Sequence, residues 1–434
     1  MTPRVDKYRL LRLVDSRLTA IGKMATIVVA FLLVLGMPAC SNEDGVGESD
    51  NTVVTLSIST ADAADTQTKG STRADADDSS NKDYYVGDLT VYIFDSNGDV
   101  IGSVYGGPSI NSQMTYTGKT INVSITTRKA TGCTVYAVAN AGTKASPNEF
   151  VGITRKADFD EKYHQLTTEN NLNGTTSDGN PLPLIMFGEL RGFNTTATKS
   201  PEIPLKRLAS KFDFTIKVDK DQGDAEDKWP IVIDSYQLKS VPMASYYVLP
   251  FWGDGTWNGK GDRDIPTGAN PQYGDYNAVT VGTTSTTSVA YTVTYYMYGN
   301  NAGEMTEKGK APGKATYLEI KAHAQVSETD PTKVWESTYK VYLGGDNTNS
   351  SLTPGTPVAS DGTSGTYNGN FTVYPNVHYN ITINIYGSGH SENGGLRVTY
   401  QAKPYFSSSS GLDKWKDNDE DLDVKARSKS SGGS

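Results

Sequence analysis

Asn51-Thr-Val-Val-Thr-Leu-Ser-Ile-Ser-Thr60 alternates between two kinds of side chain. Val54, Leu56 and Ile58 are apolar, and Thr55, Ser57 and Ser59 stand between them. Successive side chains of a strand point to opposite faces, so a period of two predicts a half-buried β-strand. The composition points the same way. With 43 glycines and 26 tyrosines among 434 residues, and many Thr and Asn, the chain favours strands and turns over helix bundles. Its length is enough for two domains of ordinary size.

Upstream of this strand lie an apolar run, Met24–Gly36, and a closing Met37-Pro-Ala-Cys40. Residues 1–23 carry Arg4, Lys7, Arg9, Arg12, Arg17 and Lys23 against Asp6 and Asp15. A basic n-region followed by an apolar run too short to span a bilayer predicts an export signal. Ala39 before Cys40 resembles a bacterial lipobox, in which Cys40 becomes the lipidated first residue. Met37 and Pro38 depart from its usual residues, and an ordinary cleaved signal peptide or an N-terminal helix anchor is the alternative. Ser41-Asn-Glu-Asp44 resembles the acidic tract that sends lipoproteins of some Gram-negative bacteria to the cell surface. One set of acyl chains would attach the protein without spanning the membrane.

Downstream, Ala61–Lys82 is built of Asp, Ala, Ser, Thr and Gly with no large apolar residue. Such a stretch cannot bury itself, and an exposed loop open to proteases is expected. Its basic residues before Lys82 are Lys69 and Arg73. From Tyr84 the strand signals resume. Leu89–Phe94, the turn Asp95-Ser-Asn-Gly98 and Asp99–Tyr105 predict a hairpin. Asp95, Asn97 and Asp99 mimic the start of a calcium loop, but position twelve is Gly106 where glutamate is required, which leaves the hairpin. Further strands are expected at Lys119–Thr127, Cys133–Ala139, Pro183–Phe187, Ile203–Val218, Ile231–Val241, Ser288–Tyr298, Ala315–His323, Tyr339–Tyr342, Phe371–Tyr386 and Leu396–Phe406. Ile203–Val218 is long enough to pass from one domain to the next. One helix is expected near Asp158–Leu166, with Phe159, Tyr163 and Leu166 on one face and Asp158 with Glu161 as a capping pair. No repeat of fixed period is present. Short strands punctuated by turns mean β-sandwiches, an all-β fold with minor helix. Ser407–Ser410 reads as a linker, and Gly411–Ser434 is polar apart from Leu412, Trp415, Leu422 and Val424.

Several functions are disfavoured. A net charge of −9 argues against nucleic acid, which needs a basic face. If Cys40 is acylated, Cys133 has no internal partner and is expected as a small buried hydrophobe. His164, His323, His378 and His390 show no metal-ligand spacing and are expected to be structural or exposed. No nucleophile elbow, phosphate loop or dinucleotide fingerprint appears, so neither an enzyme nor a cofactor is expected. Asp254, Asn258, Asp262 and Asp264 in the long Gly253–Tyr276 loop suit a solvated turn better than a calcium site. Trp252, Trp257 and Tyr273 suit packing better than sugar stacking.

Four segments resemble the fimbrillin family, the pilus subunits of Bacteroidales. Thr134-Val-Tyr-Ala-Val-Ala-Asn-Ala-Gly142 is similar to the family's strand ending in Ala-Asn. Leu182-Pro-Leu-Ile-Met-Phe-Gly-Glu189 is similar to its short buried strand. Ile203-Pro-Leu-Lys-Arg-Leu-Ala-Ser-Lys211 resembles its Leu-x-Arg-x-x-Ala-Lys strand, the most specific of the four. Val373–Ile385 resembles its Arg-Asn-x-x-Tyr strand, with Pro375 where arginine is usual. The resemblance implies two transthyretin-like β-sandwich domains in tandem. The expected layout is a signal peptide at 1–39, a lipidated propeptide with the first strand at 40–73, sandwiches at 74–208 and 209–406, and a polar tail or donor strand at 407–434.

The resemblance also implies a maturation route. The precursor is carried to the outer membrane by its lipid, and a trypsin-like protease cuts between Arg73 and Ala74, with Lys69 as the second candidate. The strand Val53–Ile58, with Val54, Leu56 and Ile58, is then lost. Another fimbrial subunit fills the vacated groove with its C-terminal strand. The tail of this chain departs from the family pattern, because Asp413–Ser434 alternates poorly. Two functions follow as expectations: a fimbrial subunit, in the shaft or at the tip, or a non-polymerising surface lipoprotein that binds glycan or host protein. The receptor is not legible.

Overall fold

The computed structural model describes residues 50–60, 82–107, 113–118, 120–142, 150–166, 171–175, 179–218, 231–248, 265–281, 290–304, 311–325, 329–330, 332, 334–343, 370–385, 395–404 and 422–425. The chain first builds β1 (Asn51–Ser59), β2 (Leu89–Phe94), β3 (Val100–Gly106), β4 (Met114–Thr117), β5 (Thr120–Arg128) and β6 (Cys133–Ala139). A five-residue helix, α1 (Lys156–Asp160), leads to β7 (Tyr163–Gln165), β8 (Met186–Phe193), β9 (Glu202–Pro204) and β10 (Lys206–Arg207). Two sheets, ordered β4-β5-β1-β9 and β10-β8-β6-β2-β3, face each other as a sandwich. Leu56, Ile58, Val91, Ile93, Val123 and Val135 are among the side chains that fill it.

A second sandwich follows. Its strands are β11 (Ala209–Val218), β12 (Ile231–Lys239), β13 (Val241–Pro242), β14 (Ala244–Tyr246), β15 (Tyr273–Gly274), β16 (Val279–Thr280) and β17 (Ala290–Tyr298). They continue with β18 (Asn300–Glu304), β19 (Tyr317–Gln325), β20 (Val334–Tyr342), β21 (Asn370–Val373), β22 (Val377–Ile385), β23 (Gly395–Pro404) and β24 (Leu422–Lys425). The main sheets are β17-β11-β22-β23-β24 and β16-β12-β19-β20. β22 shows why the pattern works: Val377, Tyr379, Ile381, Ile383 and Ile385 are buried, and the residues between them lie half-buried on the other face.

A third apolar cluster joins the two sandwiches. Every residue of β2 is buried, because its sheet is covered on both faces. Tyr92, Phe94, Tyr136 and Phe187 point away from the first core and meet Phe150 and Phe159, together with Leu208, Met243, Tyr247 and Tyr298. Phe159 stacks on Phe150 at 4.5 Å and meets Tyr136 edge-on at 5.3 Å, both favourable ring geometries. The short β7–β14 ladder, Gln165↔Ala244 to Tyr163↔Tyr246, crosses the same junction.

The structure corrects several expectations. The helix near Asp158–Leu166 is α1, five residues long, and Tyr163, His164 and Gln165 leave it to pair with β14. Its N-cap is Arg155, with no side-chain cap, so the Asp158–Glu161 capping pair does not form. Phe159 and Leu166 are buried in one cluster, but Tyr163, expected on the same face, packs in another beside Ala244, Ile265 and Ala269, because sheet pairing there outweighs helix continuation. Ile203–Val218 is three strands in three sheets. Leu205 N–H carries the β9 ladder past Pro204 onto Ser59 O (2.8 Å), and Leu208 N–H donates to Ile185 O (2.9 Å) beside β10, so successive parts of the segment serve different sheets. Phe371–Tyr386 breaks at Tyr374-Pro375-Asn376, where Asn376 sits at φ +61° and separates β21 from β22. The strand expected from Pro183 begins at Met186 instead. The hairpin stands: Asp95 Oδ1 accepts from the N–H groups of Asn97 (2.9 Å) and Asp99 (3.0 Å), and Gly98 takes φ +84°.

Candidate functional site

The groove that holds β1 is the candidate site. β1 is an interior strand. On one side it pairs antiparallel with β5 over its whole length, from Asn51↔Arg128 to Ser59↔Thr120. On the other it pairs in parallel with β9 over three residues, Ser57↔Glu202 to Ser59↔Pro204. Ser57 N–H donates to Pro201 O (3.0 Å), and the Ser200 hydroxyl donates to Thr55 O (2.8 Å). The half of β1 nearer Thr60 is therefore held from both sides. The half beginning at Asn51 is held mainly by β5.

The alternation read from the sequence fixes what β1 buries. Val54, Leu56 and Ile58 are at most 4% exposed, whereas Val53 is 66% exposed. Burying three such side chains stabilises the sandwich by on the order of 5–8 kcal/mol. Removing β1 would open the core along one row and leave the ladders of β5 and β9 unpaired, a template for another strand. Two close approaches shape the groove. A Cβ at Gly188 of β8 would fall 2.9 Å from Ile203 Cγ2 and 2.9 Å from Pro204 O, so glycine lets β9 pass close to the opposite sheet. A Cβ at Gly102 would fall 3.1 Å from Ile125 Cγ2, where β3 crosses β5.

The described residues stop at Thr60 and resume at Lys82. Cys40, Lys69, Arg73 and Ala74 lie outside the described residues, as do Trp252, Trp257, the four loop positions Asp254, Asn258, Asp262 and Asp264, and His390. Burial lowers the Lys82 ammonium to about 8. Further on, burial raises the Asp88 carboxyl to about 7, against the opposing pull of the Gly142, Ala141 and Asn140 N–H groups. Neither group was singled out from sequence, since nothing in local spacing distinguishes a buried charge here from a solvated one.

The remaining sequence candidates are dispersed. Cys133 is buried in the first core, where burial raises its thiol pKa. His164 lies on β7, its Nδ1 2.6 Å from the Tyr298 hydroxyl, and burial lowers it to about 4. His323 pairs with Asp234 at 2.7 Å and His378 with Asp213 at 2.6 Å, in separate sheets. Tyr273 packs beside Ala244, Ile265 and Ala269. Among the described residues, no group of three or more His, Cys, Asp or Glu could hold a metal, and no helix is long and apolar enough to cross a membrane.

Comparison with known proteins follows the same lines. Residues 53–202, from β1 to β9, match the family of the major fimbrial subunit protein FimA. No curated protein matches the chain. Among solved structures, a candidate cell adhesion protein of Parabacteroides distasonis aligns at 14% identity over 81% of this chain and 97% of its own, with a TM-score of 0.50. The tip fimbrial protein Mfa3 of Porphyromonas gingivalis, C-terminally truncated, aligns at 15% identity over 82% of this chain and 99% of its own (TM-score 0.49). The fimbrilin FimA of Porphyromonas gingivalis aligns at 14% identity over 81% and 97% (TM-score 0.45). At such identities the likeness is one of fold, and the family match rests on the sequence of the first sandwich. The sequence likeness to the major fimbrial subunit family thus lies in residues 53–202, the stretch from β1 to β9.

Proposed function

We propose that this chain is a structural subunit of a cell-surface fimbrium, exported as a lipoprotein on Cys40, cut after Arg73 and assembled by strand exchange in the β1 groove. Family and fold give the broader statement, a role in pilus structure or adhesion. A structural-subunit family also makes an enzyme unsuitable as a reading.

One observation carries the narrower reading: β1 fills an interior position in its sheet, yet its only covalent link to the following strand runs through the protease-prone composition of Ala61–Asn81. A strand placed so supplies three buried side chains and can still leave after one cut. The vacated groove asks for an extended segment with apolar residues at alternate positions, running antiparallel to β5. The partners are then other fimbrial subunits, a trypsin-like maturation protease and, through the lipid, the outer membrane. N-terminal sequencing of material sheared from cells tests this. A terminus at Ala74 is expected; intact lipidated Cys40 on all of the protein overturns it.

A second reading has one observation in its favour. The tail residues Leu422–Lys425 form β24 on the chain's own β23, from Val398↔Leu422 to Gly395↔Lys425. A tail strand paired at home, four residues long with Leu422 and Val424 apolar, suits a tip or accessory subunit that accepts a strand and gives none. Deleting residues 411–434 separates the two: shorter or absent polymers mark a shaft subunit, and unchanged polymers mark a tip or accessory one.

A further inference from the structure

The first described residues after β1 are gripped by both sandwiches. Lys82 and Asp83 belong to no strand. Arg207, buried at the end of β10, donates from Nε to the Asp83 carbonyl at 2.6 Å. From the second sandwich, Lys211 Nζ lies 3.3 Å from Asp83 Oδ2, and the Tyr296 hydroxyl donates to Asp83 Oδ1 at 2.9 Å. The Lys82 ammonium sits 4.3 Å from the centre of the Tyr296 ring, and the Arg207 guanidinium 5.0 Å from that of Tyr84. Asn140 adds two more bonds, accepting from Gly87 N–H and donating to Tyr85 O, both 2.8 Å. Lysine is among the residues least often buried, yet Lys82 is 8% exposed.

We infer that residues 82–87 form a latch that withholds Lys82 from lysine- and arginine-directed proteases, and so sets the N-terminal limit of the body left when β1 is cut away. The use of such a latch rests on the maturation reading above; its existence does not. A protease must draw the residues around the scissile bond into its cleft in extended form, with the P1 side chain in its specificity pocket. To present Lys82 the chain would have to lift the ammonium off Tyr296 and break three contacts to Asp83. That is a local opening, and cleavage is slowed by the rarity of the open state. Lys69 and Arg73 precede Lys82 in the sequence and are the alternatives for such a protease. The latch also isolates the event mechanically. Because residues 82–87 are tied to Arg207, Lys211, Tyr296 and Asn140, loss of β1 does not pull on β2, which begins at Leu89.

The test is limited digestion of the full chain with a lysine-specific endopeptidase, with termini read by mass spectrometry. The same chain in denaturant supplies the reference rate, which takes account of any slowing by Asp83 next to the bond. Cleavage after Lys82 is expected to be about 100-fold slower in the folded chain than in the reference. Tyr296→Phe and Lys211→Ala are each expected to restore about 10-fold of that rate with cleavage after Lys69 unchanged. Asp83→Asn is a third variant should either fail to fold. Cleavage after Lys82 at the reference rate in the folded protein overturns the latch, and so does unchanged protection in folded variants. A native terminus that retains Cys40 on cells would instead overturn the maturation reading and leave the latch standing.

Discussion

Leu56 has no exposed surface and faces the middle of the first core. Leu56→Ala removes buried methyl groups and leaves a cavity, so a loss of about 2–5 kcal/mol is expected in urea unfolding of the uncut chain. Gly188→Ala puts a methyl group against both Ile203 and the Pro204 carbonyl, and one of them is backbone. A loss of about 1–3 kcal/mol is expected in the same assay. Asp88 gives a pH signature. Its carboxyl takes up a proton near pH 7 in the folded chain and near 3.8 in the unfolded one. Its contribution is therefore most favourable below about pH 4, declines as pH rises to 7 and is level above. Asp88→Asn, which cannot ionise, is expected to be about 1–3 kcal/mol more stable than the parent at pH 8 and to lose that advantage by pH 4. Denaturant titrations of both proteins at the two pH values measure it.

At the scale of elements, strands whose two faces differ were legible, and segments with competing partners were not. β1 lies where its alternation puts it, the β2–β3 hairpin where its Asn-Gly turn does, and β6 where its apolar run does, because those signals are local to each segment. Ile203–Val218 failed as a single strand because three sheets take successive parts of it, each through a partner distant in sequence. α1 is short because the residues after it pair with β14, a partner about 80 positions away that no local window sees. The three buried residues of the candidate site were legible for the same reason as the strand itself. The part played by β9 was not, since it depends on a parallel pairing about 145 residues distant. β1 carries its own prediction. Protein cut and freed of β1 is expected to melt at lower temperature, and a synthetic peptide of residues 51–60 to restore the loss. The same peptide with Leu56→Lys is expected to fail, because it places a charge in the dry row. Differential scanning calorimetry with and without peptide reads both.

On the scale of the whole molecule, the sheet holding β2 serves two cores at once. Its inner face fills the first sandwich and its outer face, through Tyr92, Phe94 and Tyr136, fills the junction with the second. Unfolding of the uncut chain is expected to be a single calorimetric transition, since neither sandwich can melt without baring a shared sheet. Phe159→Ala removes the ring at the centre of the junction; a loss of about 3–5 kcal/mol and a split into two transitions are expected. Under pulling force the same construction has another consequence. A flexible joint would let each subunit of a filament kink and absorb tension by rotation. A sheet shared by two cores acts as a splice, so load entering one sandwich passes directly into the other, and in the proposed filament the compliance moves to the exchanged strand.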